Sequence, residues 1–275
     1  GKRIAMTGHR GTLGTLLYNK LDEAGCTPQT YPGDVTDASE LDAWIARARP
    51  DLLFNLAAIV PVTRVQAEPI DAMRVNAVAN LEIVGSLARY APNAWLFHAS
   101  TSHVYNPQPL GGGTPHRLTE ETSCAPASLY GATKLAGECI VRPLAARLGI
   151  HACIGRIFSF FHTQQAETFL VPALRQRIAQ TPAGGTLEIF DATSVRDLLP
   201  AECIVDAILY LTAVRYTGTI NIGSGRGLAV GEIAARLTRI AQKPITVHNI
   251  ASPQPGTLVA DVRRLKFAIN MLQGL

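Results

Sequence analysis

Short apolar segments alternate with longer segments of helical periodicity through roughly the first 155 residues of the chain. The apolar segments read "RIAMT" from Arg3, "DLLFNLAA" from Asp51 and "AWLFHAS" from Ala94. Parallel strands need a crossover of about a dozen or more residues, which is usually a helix. The alternation therefore predicts an α/β fold, a Rossmann-type doubly wound parallel sheet with helices on both faces.

The pattern becomes more mixed after the strand predicted at 151–158. We expect residues 1–157 to form a dinucleotide-binding domain, to which a strand-helix-strand segment at about 196–222 returns. Residues 158–195 and 223–275 are then expected to form a smaller C-terminal lobe that binds the substrate. Ligands of open parallel sheets lie at the carboxyl ends of the strands, so this lobe should cover that edge.

Composition and charge restrict the class of partner. Hydrophobic residues make up 47% of the 275 residues and charged residues 17%, as in an ordinary globular protein. The net charge of +4 comes from scattered basic residues, which favours an anionic small ligand and no nucleic-acid partner. No apolar run approaches the ~18 residues of a membrane helix, and no signal-peptide pattern is present. We therefore expect a cytoplasmic protein without a membrane partner.

The cysteines give no indication of a metal site or a disulfide framework. They are odd in number and their spacing is not that of metal ligands. We expect free, mostly buried thiols in a reducing compartment, and no bound metal. The five residues concerned are Cys26, Cys124, Cys139, Cys153 and Cys203.

The segment "TGHRGTLG", Thr7 to Gly14, connects the first predicted strand to the first predicted helix. Glycines at such a turn let a phosphate approach bare backbone N–H groups and the positive end of a helix. The spacing is not G-x-G-x-x-G, and a tight turn packed on glycines is an alternative. The position directly after the first strand favours a cofactor site.

The segment "YGATK" places Tyr130 and Lys134 on one face of a predicted helix. A free tyrosine has a pKa near ~10, and a neighbouring ammonium is expected to lower it. Such a pair moves a proton to or from a carbonyl or an alcohol. For this segment alone, a surface pair on an amphipathic helix is the more common explanation.

The segment "HASTSHVY", His98 to Tyr105, follows the strand that begins near Ala94. A hydroxyl at the end of this strand can donate to the same substrate oxygen as the tyrosine. Ser100, Thr101 and Ser102 are the candidates. Alternatively, they only terminate the strand.

Together, and in this order, the glycine turn, the hydroxyl segment and the Tyr–Lys pair resemble the short-chain dehydrogenase/reductase superfamily in its extended branch, the NAD-dependent epimerase/dehydratase family. Further similarity is seen in "DVTD" from Asp34, "NLAA" from Asn55, "YGATKLAGE" from Tyr130 and "SVRDLLPAECIVDAI" from Ser194. The resemblance covers roughly residues 2–240. It implies an NAD(P)-dependent oxidoreductase acting on a nucleotide-diphosphate sugar.

The resemblance also implies roles for individual residues. Tyr130 would be the general acid/base, Lys134 would bind the nicotinamide ribose, and Thr101 would be the catalytic hydroxyl because it lies four residues before Tyr105. The implied cofactor-binding residues are Gly8, His9, Arg10, Gly11, Thr12, Leu13, Gly14, Asp34, Val35, Leu56, Ala57, Ala58, Asn76, Tyr130 and Lys134. The implied substrate-binding residues are Ser102, His103, Ser159 and Arg196.

The residues after Thr101 bear on the type of reaction. The 4,6-dehydratases of this branch have Asp-Glu there, whereas this chain has Ser102 and His103, which argues against dehydration. The chain resembles the 4-keto-6-deoxysugar reductases, with a glycine turn similar to that of GDP-fucose synthases and "RPDLLFNLAA" similar to dTDP-4-dehydrorhamnose reductases. The Cys and His of the GDP-fucose synthase epimerisation pair are replaced by His103 and Gln164. These features favour simple NADPH-dependent reduction of a 4-keto group.

Other functions remain open at this point. One is a nucleotide-sugar epimerase with transient oxidation, and another is an NADP(H)-binding regulatory protein without turnover. Reduction of a non-sugar carbonyl is a third, because Ser159 and "SPQPGT" from Ser252 depart from the family's substrate-binding pattern.

Arg10 and the second predicted strand bear on cofactor choice. NAD-binding relatives place an acid at the end of that strand. In this chain the strand ends "QTYPGD", which contains no acid before Asp34. We assign Asp34 to the adenine edge of the cofactor site because it opens "DVTD". An arginine facing a site without a competing carboxylate suits a 2′-phosphate, so we predict NADP(H) in preference to NAD(H). Relatives often dimerise through helices that match 80–90 and 130–148, so a homodimer is expected.

Overall fold

The computed structural model describes residues 1–109, 117–250 and 256–273. Within these ranges no helix is long and apolar enough to cross a bilayer. The strands are β1 (Ile4–Thr7), β2 (Gln29–Thr30), β3 (Leu52–Asn55), β4 (Trp95–Thr101), β5 (Gln108–Pro109), β6 (His151–Ile157), β7 (Ser159–Phe161), β8 (Thr186–Phe190), β9 (Val195–Pro200), β10 (Gly218–Ile222), β11 (Gly227–Ala229), β12 (Thr246–Ile250) and β13 (Gly256–Leu258).

Most helices follow the apolar periodicity of the sequence, and two short turns of other geometry lie beside the carboxyl edge of the sheet. The helices are α1 (Thr12–Glu23), α2 (Ala38–Ala48), α3 (Val62–Ala67), α4 (Pro69–Met73), α5 (Ala79–Tyr90), α6 (Leu129–Leu148), α7 (Leu170–Gln180), α8 (Ala201–Ala213), α9 (Val230–Ile240) and α10 (Arg263–Gln273). A π-helical turn covers Arg74–Val78, and a 3-10 turn covers Ser102–Val104.

Six parallel strands form the main sheet in the order β2-β1-β3-β4-β6-β10. The predicted Rossmann-type sheet is therefore confirmed. Successive side chains of a strand point to opposite faces. Leu53 accordingly packs with α2, α5 and α6, whereas Phe54 packs on the opposite face with α1, α8 and α10. Two hydrophobic cores cover the sheet and hold the carboxyl ends of its strands at one common edge.

The strands outside the main sheet form a mixed second sheet and a small parallel pair. The second sheet has the order β11-β9-β13-β5, with β7 also paired to β9, and β12 pairs with β8. Of the segment expected to return to the main sheet, only β10 pairs there, alongside β6, whereas β9 belongs to the second sheet. The boundaries of the two predicted domains stay a prediction.

The cysteines are all free, but the expectation that most are buried is wrong. Only Cys153, on strand β6 of the main sheet, is fully buried. Cys139 and Cys203 lie on the outward faces of α6 and α8, and Cys26 is exposed in the turn before β2. The sequence around these cysteines is apolar, and this did not show whether each lies on the buried or the exposed face of its helix.

We predict that Phe54→Ala lowers the free energy of unfolding by about 3–5 kcal/mol, because it leaves a cavity in a close-packed core. Phe54 is fully buried and its ring centroid lies 6.2 Å from that of Trp95 and 6.5 Å from that of Phe97. Urea unfolding measures the change. Phe190→Ala is the matched control, since Phe190 is 66% exposed and its loss should cost within about 0.5 kcal/mol. Equal costs for the two variants would contradict the core assignment.

Candidate active site

The glycine turn is packed too closely for side chains. Gly8 has φ 70°, and a Cβ added there would lie 2.5 Å from the amide nitrogen of Ala57. A Cβ at Gly14 would lie 2.1 Å from the carbonyl oxygen of Gly8. The end of β1, the start of α1 and the loop after β3 therefore meet backbone to backbone. This contact requires the glycines at both positions.

The first turn of α1 faces the carboxyl edge with free backbone donors. Its N-cap is Gly11, which has no side chain to satisfy the first N–H groups, so these groups are available to an anion. Thr12 and Leu13 begin the helix, and Arg10 is exposed in the turn before it. Burial and the charge of Arg10 both lower the pKa of His9. The arrangement fits the diphosphate of a dinucleotide cofactor.

Asp34 and Val35 lie in the loop that follows β2. The carboxylate of Asp34 accepts hydrogen bonds from the backbone N–H and the hydroxyl of Thr36, both at 2.9 Å. The hydroxyl of Tyr31 donates to the carbonyl oxygen of Asp34 at 3.2 Å. Val35 is buried beside them. Asp37 caps the following helix α2 and accepts from the backbone N–H of Glu40 at 3.0 Å.

A chain of buried polar side chains lies directly beneath the edge. The hydroxyl of Thr7 donates to Asn55 at 2.6 Å, and the amide of Asn55 donates to Asn80 at 2.8 Å. The same amide nitrogen lies 3.3 Å from Nδ1 of His98. These bonds join β1, β3, β4 and α5. They fix the strand ends that carry the glycine turn and the hydroxyl segment.

Asn76 lies in the π-helical turn and is buried. Its side chain exchanges two hydrogen bonds of 2.9 Å with the backbone of Ile59 and donates to Thr133 at 3.0 Å. The loop that begins with Leu56, Ala57 and Ala58 is thereby tied to α6. Inserted π turns often occur at functional sites, and this one directs Asn76 inward.

Thr101 and Tyr130 meet at the centre of the edge. Thr101 ends β4, and Ser128 caps α6 so that Tyr130 lies in its first turn. Thr101 lies close enough to the Tyr130 phenol to influence its ionisation. A Cβ at Gly131 would lie 2.1 Å from the carbonyl oxygen of His103, so a side chain there would push α6 away from the 3-10 turn. The glycine of "YGATK" thus allows the contact between the phenol and the threonine.

Burial controls the ionisation of Tyr130 and Lys134. Burial raises the pKa of Tyr130 to about 12, although Thr101 acts in the opposite direction. The expected net lowering of this pKa is therefore wrong, because burial dominates. Burial lowers the pKa of Lys134 to about 8, and the charge of Glu138 opposes that change. The resting site holds a protonated phenol, which is a proton donor.

The predicted substrate-binding residues Ser102, His103, Ser159 and Arg196 lie on the side of the site that faces the second sheet. Ser102 is buried in the 3-10 turn. The rings of His103 and Tyr130 are 5.5 Å apart between centroids. Burial, together with the charge of Arg196, lowers the pKa of His103 to about 4. The guanidinium of Arg196 donates to the carbonyl oxygens of Val195 at 3.0 Å and Gly256 at 2.8 Å.

Ser159 is half-buried in β7, opposite Leu198 of β9. The segment "SPQPGT" lies outside the described residues up to position 255. Its last two residues, Gly256 and Thr257, belong to β13, and Gly256 is the acceptor for Arg196.

The structure also reveals a buried ion pair that the sequence analysis missed. Glu138 lies one turn beyond Lys134 on α6, and its carboxylate binds the guanidinium of Arg156 on β6 at 2.7 Å. The sequence did indicate that Glu138 is buried, because it lies on the same helix face as Tyr130 and Lys134 and must be directed inward. The strand arginine that compensates it could not be identified from spacing.

The family described as GDP-mannose 4,6 dehydratase matches residues 6–257. A UDP-glucose 4-epimerase of Azospirillum brasilense is 27% identical over 96% of this chain and 85% of its own length. A dTDP-4-dehydrorhamnose reductase of Escherichia coli is 33% identical over 74% of this chain and 66% of its own length.

Solved structures share the fold. RMD from Pseudomonas aeruginosa, complexed with NADPH, superposes with a TM-score of 0.84 at 23% identity, covering 98% of this chain and 93% of that chain. The UDP-glucose 4-epimerase of Thermus thermophilus, complexed with NAD, gives 0.83 at 20% identity, covering 99% and 93%. With the family match over most of the chain, these findings establish that the chain belongs to the NAD-dependent epimerase/dehydratase family, the extended short-chain dehydrogenases/reductases, and is an NAD(P)-dependent enzyme of that type.

Proposed function

We propose that the enzyme reduces the 4-keto group of a nucleotide-linked 4-keto-6-deoxy sugar with NADPH. The proposal rests on three buried side chains, which are Thr101 at the end of β4, a protonated Tyr130, and Lys134 one turn further along α6. Relatives named dTDP-4-dehydrorhamnose reductase support it. The absence of a carboxylate at Ser102 and His103 argues against dehydration.

The chain's own residues account for the proton chemistry. When bound, the nicotinamide cofactor supplies the hydride. Thr101 holds the carbonyl oxygen of the substrate, and Tyr130 donates its proton to that oxygen as negative charge develops there. The phenolate left on Tyr130 is stabilised by the Lys134 ammonium. Gly8, Gly11 and Gly14 would hold the diphosphate of the cofactor.

Epimerisation of a nucleotide sugar with transient oxidation is the alternative to simple reduction. Some relatives are named UDP-glucose 4-epimerase, and the ring of His103 lies beside that of Tyr130. Because the pKa of His103 is about 4, its imidazole is neutral at physiological pH and is a weak base. We therefore assign His103, with Ser102, Ser159 and Arg196, to substrate binding. A regulatory role without turnover would not require the intact set of Thr101, Tyr130 and Lys134.

We further propose that NADP(H) is preferred to NAD(H), because Arg10 is free to meet a 2′-phosphate. Of the nearby acids, Asp34 accepts two hydrogen bonds from Thr36 through one carboxylate oxygen, and Asp37 caps α2. Structures at this level of similarity contain NADPH or NAD, so the preference rests on these local contacts.

Tyr130→Phe should lower kcat about 10²–10⁴-fold, because it removes the proton donor but leaves the ring packing intact. The measurement is NADPH oxidation with a 4-keto-6-deoxy nucleotide sugar. Tyr210→Phe is the control, since Tyr210 lies on α8 and is 43% exposed. Near-normal turnover by Tyr130→Phe would overturn the mechanism.

Arg10→Ala should reduce the ratio of kcat/KM for NADPH to that for NADH about tenfold or more, because a charge-assisted bond to the 2′-phosphate is lost. Steady-state kinetics with both cofactors measures the ratio. Arg47→Ala, an exposed arginine on α2, should leave it unchanged. An unaltered ratio for Arg10→Ala would contradict the NADP(H) assignment.

We also propose a homodimer formed through α5 and α6. Leu81 on α5 is 51% exposed and Leu148 at the end of α6 is 39% exposed, which supports an apolar contact face on these helices. Leu81→Glu should therefore shift the protein to monomer in sedimentation experiments. If the wild-type chain sediments as a monomer at tens of micromolar, the dimer proposal fails.

A further inference from the structure

Glu138 has no solvent exposure and occupies the centre of a polar cluster between α6 and the main sheet. Its carboxylate accepts from the hydroxyl of Ser100 at 2.5 Å and from Arg156 at 2.7–3.2 Å. Arg142, whose side chain is 58% exposed, donates to it at 3.1 Å from the solvent side. A buried carboxylate must be fully compensated in this way to remain ionised.

The cluster is adjacent to Lys134 on α6 and to Thr101 on β4. Lys134 and Glu138 are one helical turn apart and both point inward from α6. Ser100, the hydrogen-bond donor to Glu138, immediately precedes Thr101 on β4. One carboxylate therefore joins the helix that carries Tyr130 and Lys134 to the strand that carries Thr101.

We infer that Glu138 is a positioning residue that keeps Lys134 protonated beside Tyr130 and fixes the end of β4 against α6. The inference rests on the proposed acid/base roles of Tyr130 and Lys134. Glu138 does not touch the reacting atoms itself and acts on them only through Tyr130 and Lys134.

Few other charged groups face Lys134 from the elements packed against α6. From β4, His98 is buried and faces Lys134, and burial together with the Lys134 charge holds the pKa of His98 well below its usual value, so it is neutral. His103, in the 3-10 turn, is also neutral at physiological pH. Arg156 of β6 is bound to Glu138.

The remaining neighbours of α6 offer no alternative carboxylate within the described residues. The inward-facing side chains of the π turn and α5 are the uncharged Asn76 and Asn80. At α3 and α4 the charged side chains form exposed ion pairs, which are Arg64 with Glu68 and Asp71 with Arg74. In the part of the chain that the structure describes, Glu138 is the carboxylate placed to favour the ammonium of Lys134.

The direction of the effect follows from the charges. Burial lowers the pKa of Lys134 and Glu138 raises it, so loss of the carboxylate should move this pKa below about 8. Only the protonated ammonium stabilises the Tyr130 phenolate. The alkaline limb of the kcat profile should therefore move to lower pH in a variant without the charge.

The test is a titration of the lysine side chains by NMR in Glu138→Gln, using protein labelled with ¹³C-lysine and free of substrate. The chain has only five lysines, so the Cε resonance of Lys134 is assignable by comparison with Lys134→Met. We expect its midpoint to fall by about one pH unit in Glu138→Gln. Arg142→Gln, which removes the exposed member of the cluster, should move the midpoint little. Glu138→Asp, which retains the charge, should restore it.

Glu138→Gln leaves Arg156 buried without a counter-charge and is at risk of unfolding. The double variant Glu138→Gln/Arg156→Met removes both buried charges, so the titration can be measured even if the single variant does not fold. Its Lys134 midpoint should also fall below that of the wild type. An unchanged midpoint in the folded variants would overturn the inference. A lowered midpoint combined with near-normal turnover in Tyr130→Phe would instead refute the proposed function and leave the Glu138–Lys134 coupling intact.

Discussion

The ion pair between Glu138 and Arg156 is the contact on which the geometry of the site depends. Both side chains are buried, so neither charge can be satisfied by water, and each must hold the other in place. Removing one member of such a pair typically costs about 3–5 kcal/mol. The guanidinium of Arg156 also donates to the hydroxyl of Tyr105 at 2.9 Å, and that hydroxyl donates to Asn221 at 2.7 Å. The pair thus links α6, β6 and β10 beneath the carboxyl edge.

Close backbone contacts complete the site. At the turn after β1, Gly8 and Gly14 let the first helix and the loop after β3 meet without side chains. Beside Tyr130, Gly131 lets α6 approach the 3-10 turn. Tyr130 is buried beside the second of these contacts. The same burial keeps the phenol of Tyr130 protonated, because its pKa is raised to about 12.

Local patterns in the sequence were sufficient to predict the main sheet and the helix α6, which carries Tyr130 and Lys134. Periods of two and of 3.6 residues distinguish buried strands from amphipathic helices, so the parallel sheet and α6 were predictable. The second sheet was not, because β5, β11 and β13 are short and pair with segments distant in the chain. The position of β9 was missed for the same reason. Arg156 was missed because a strand arginine gives no local indication that a buried carboxylate lies beside it.

The proposed reduction consumes one NADPH per product, whereas epimerisation with transient oxidation consumes none. The most direct measurement supplies NADPH deuterated at both positions of nicotinamide C4 together with a 4-keto-6-deoxy nucleotide sugar, and analyses the product by mass spectrometry. The account predicts one deuterium at sugar C4 and stoichiometric loss of NADPH. An isomerised sugar without deuterium, formed with no net loss of NADPH, would contradict it.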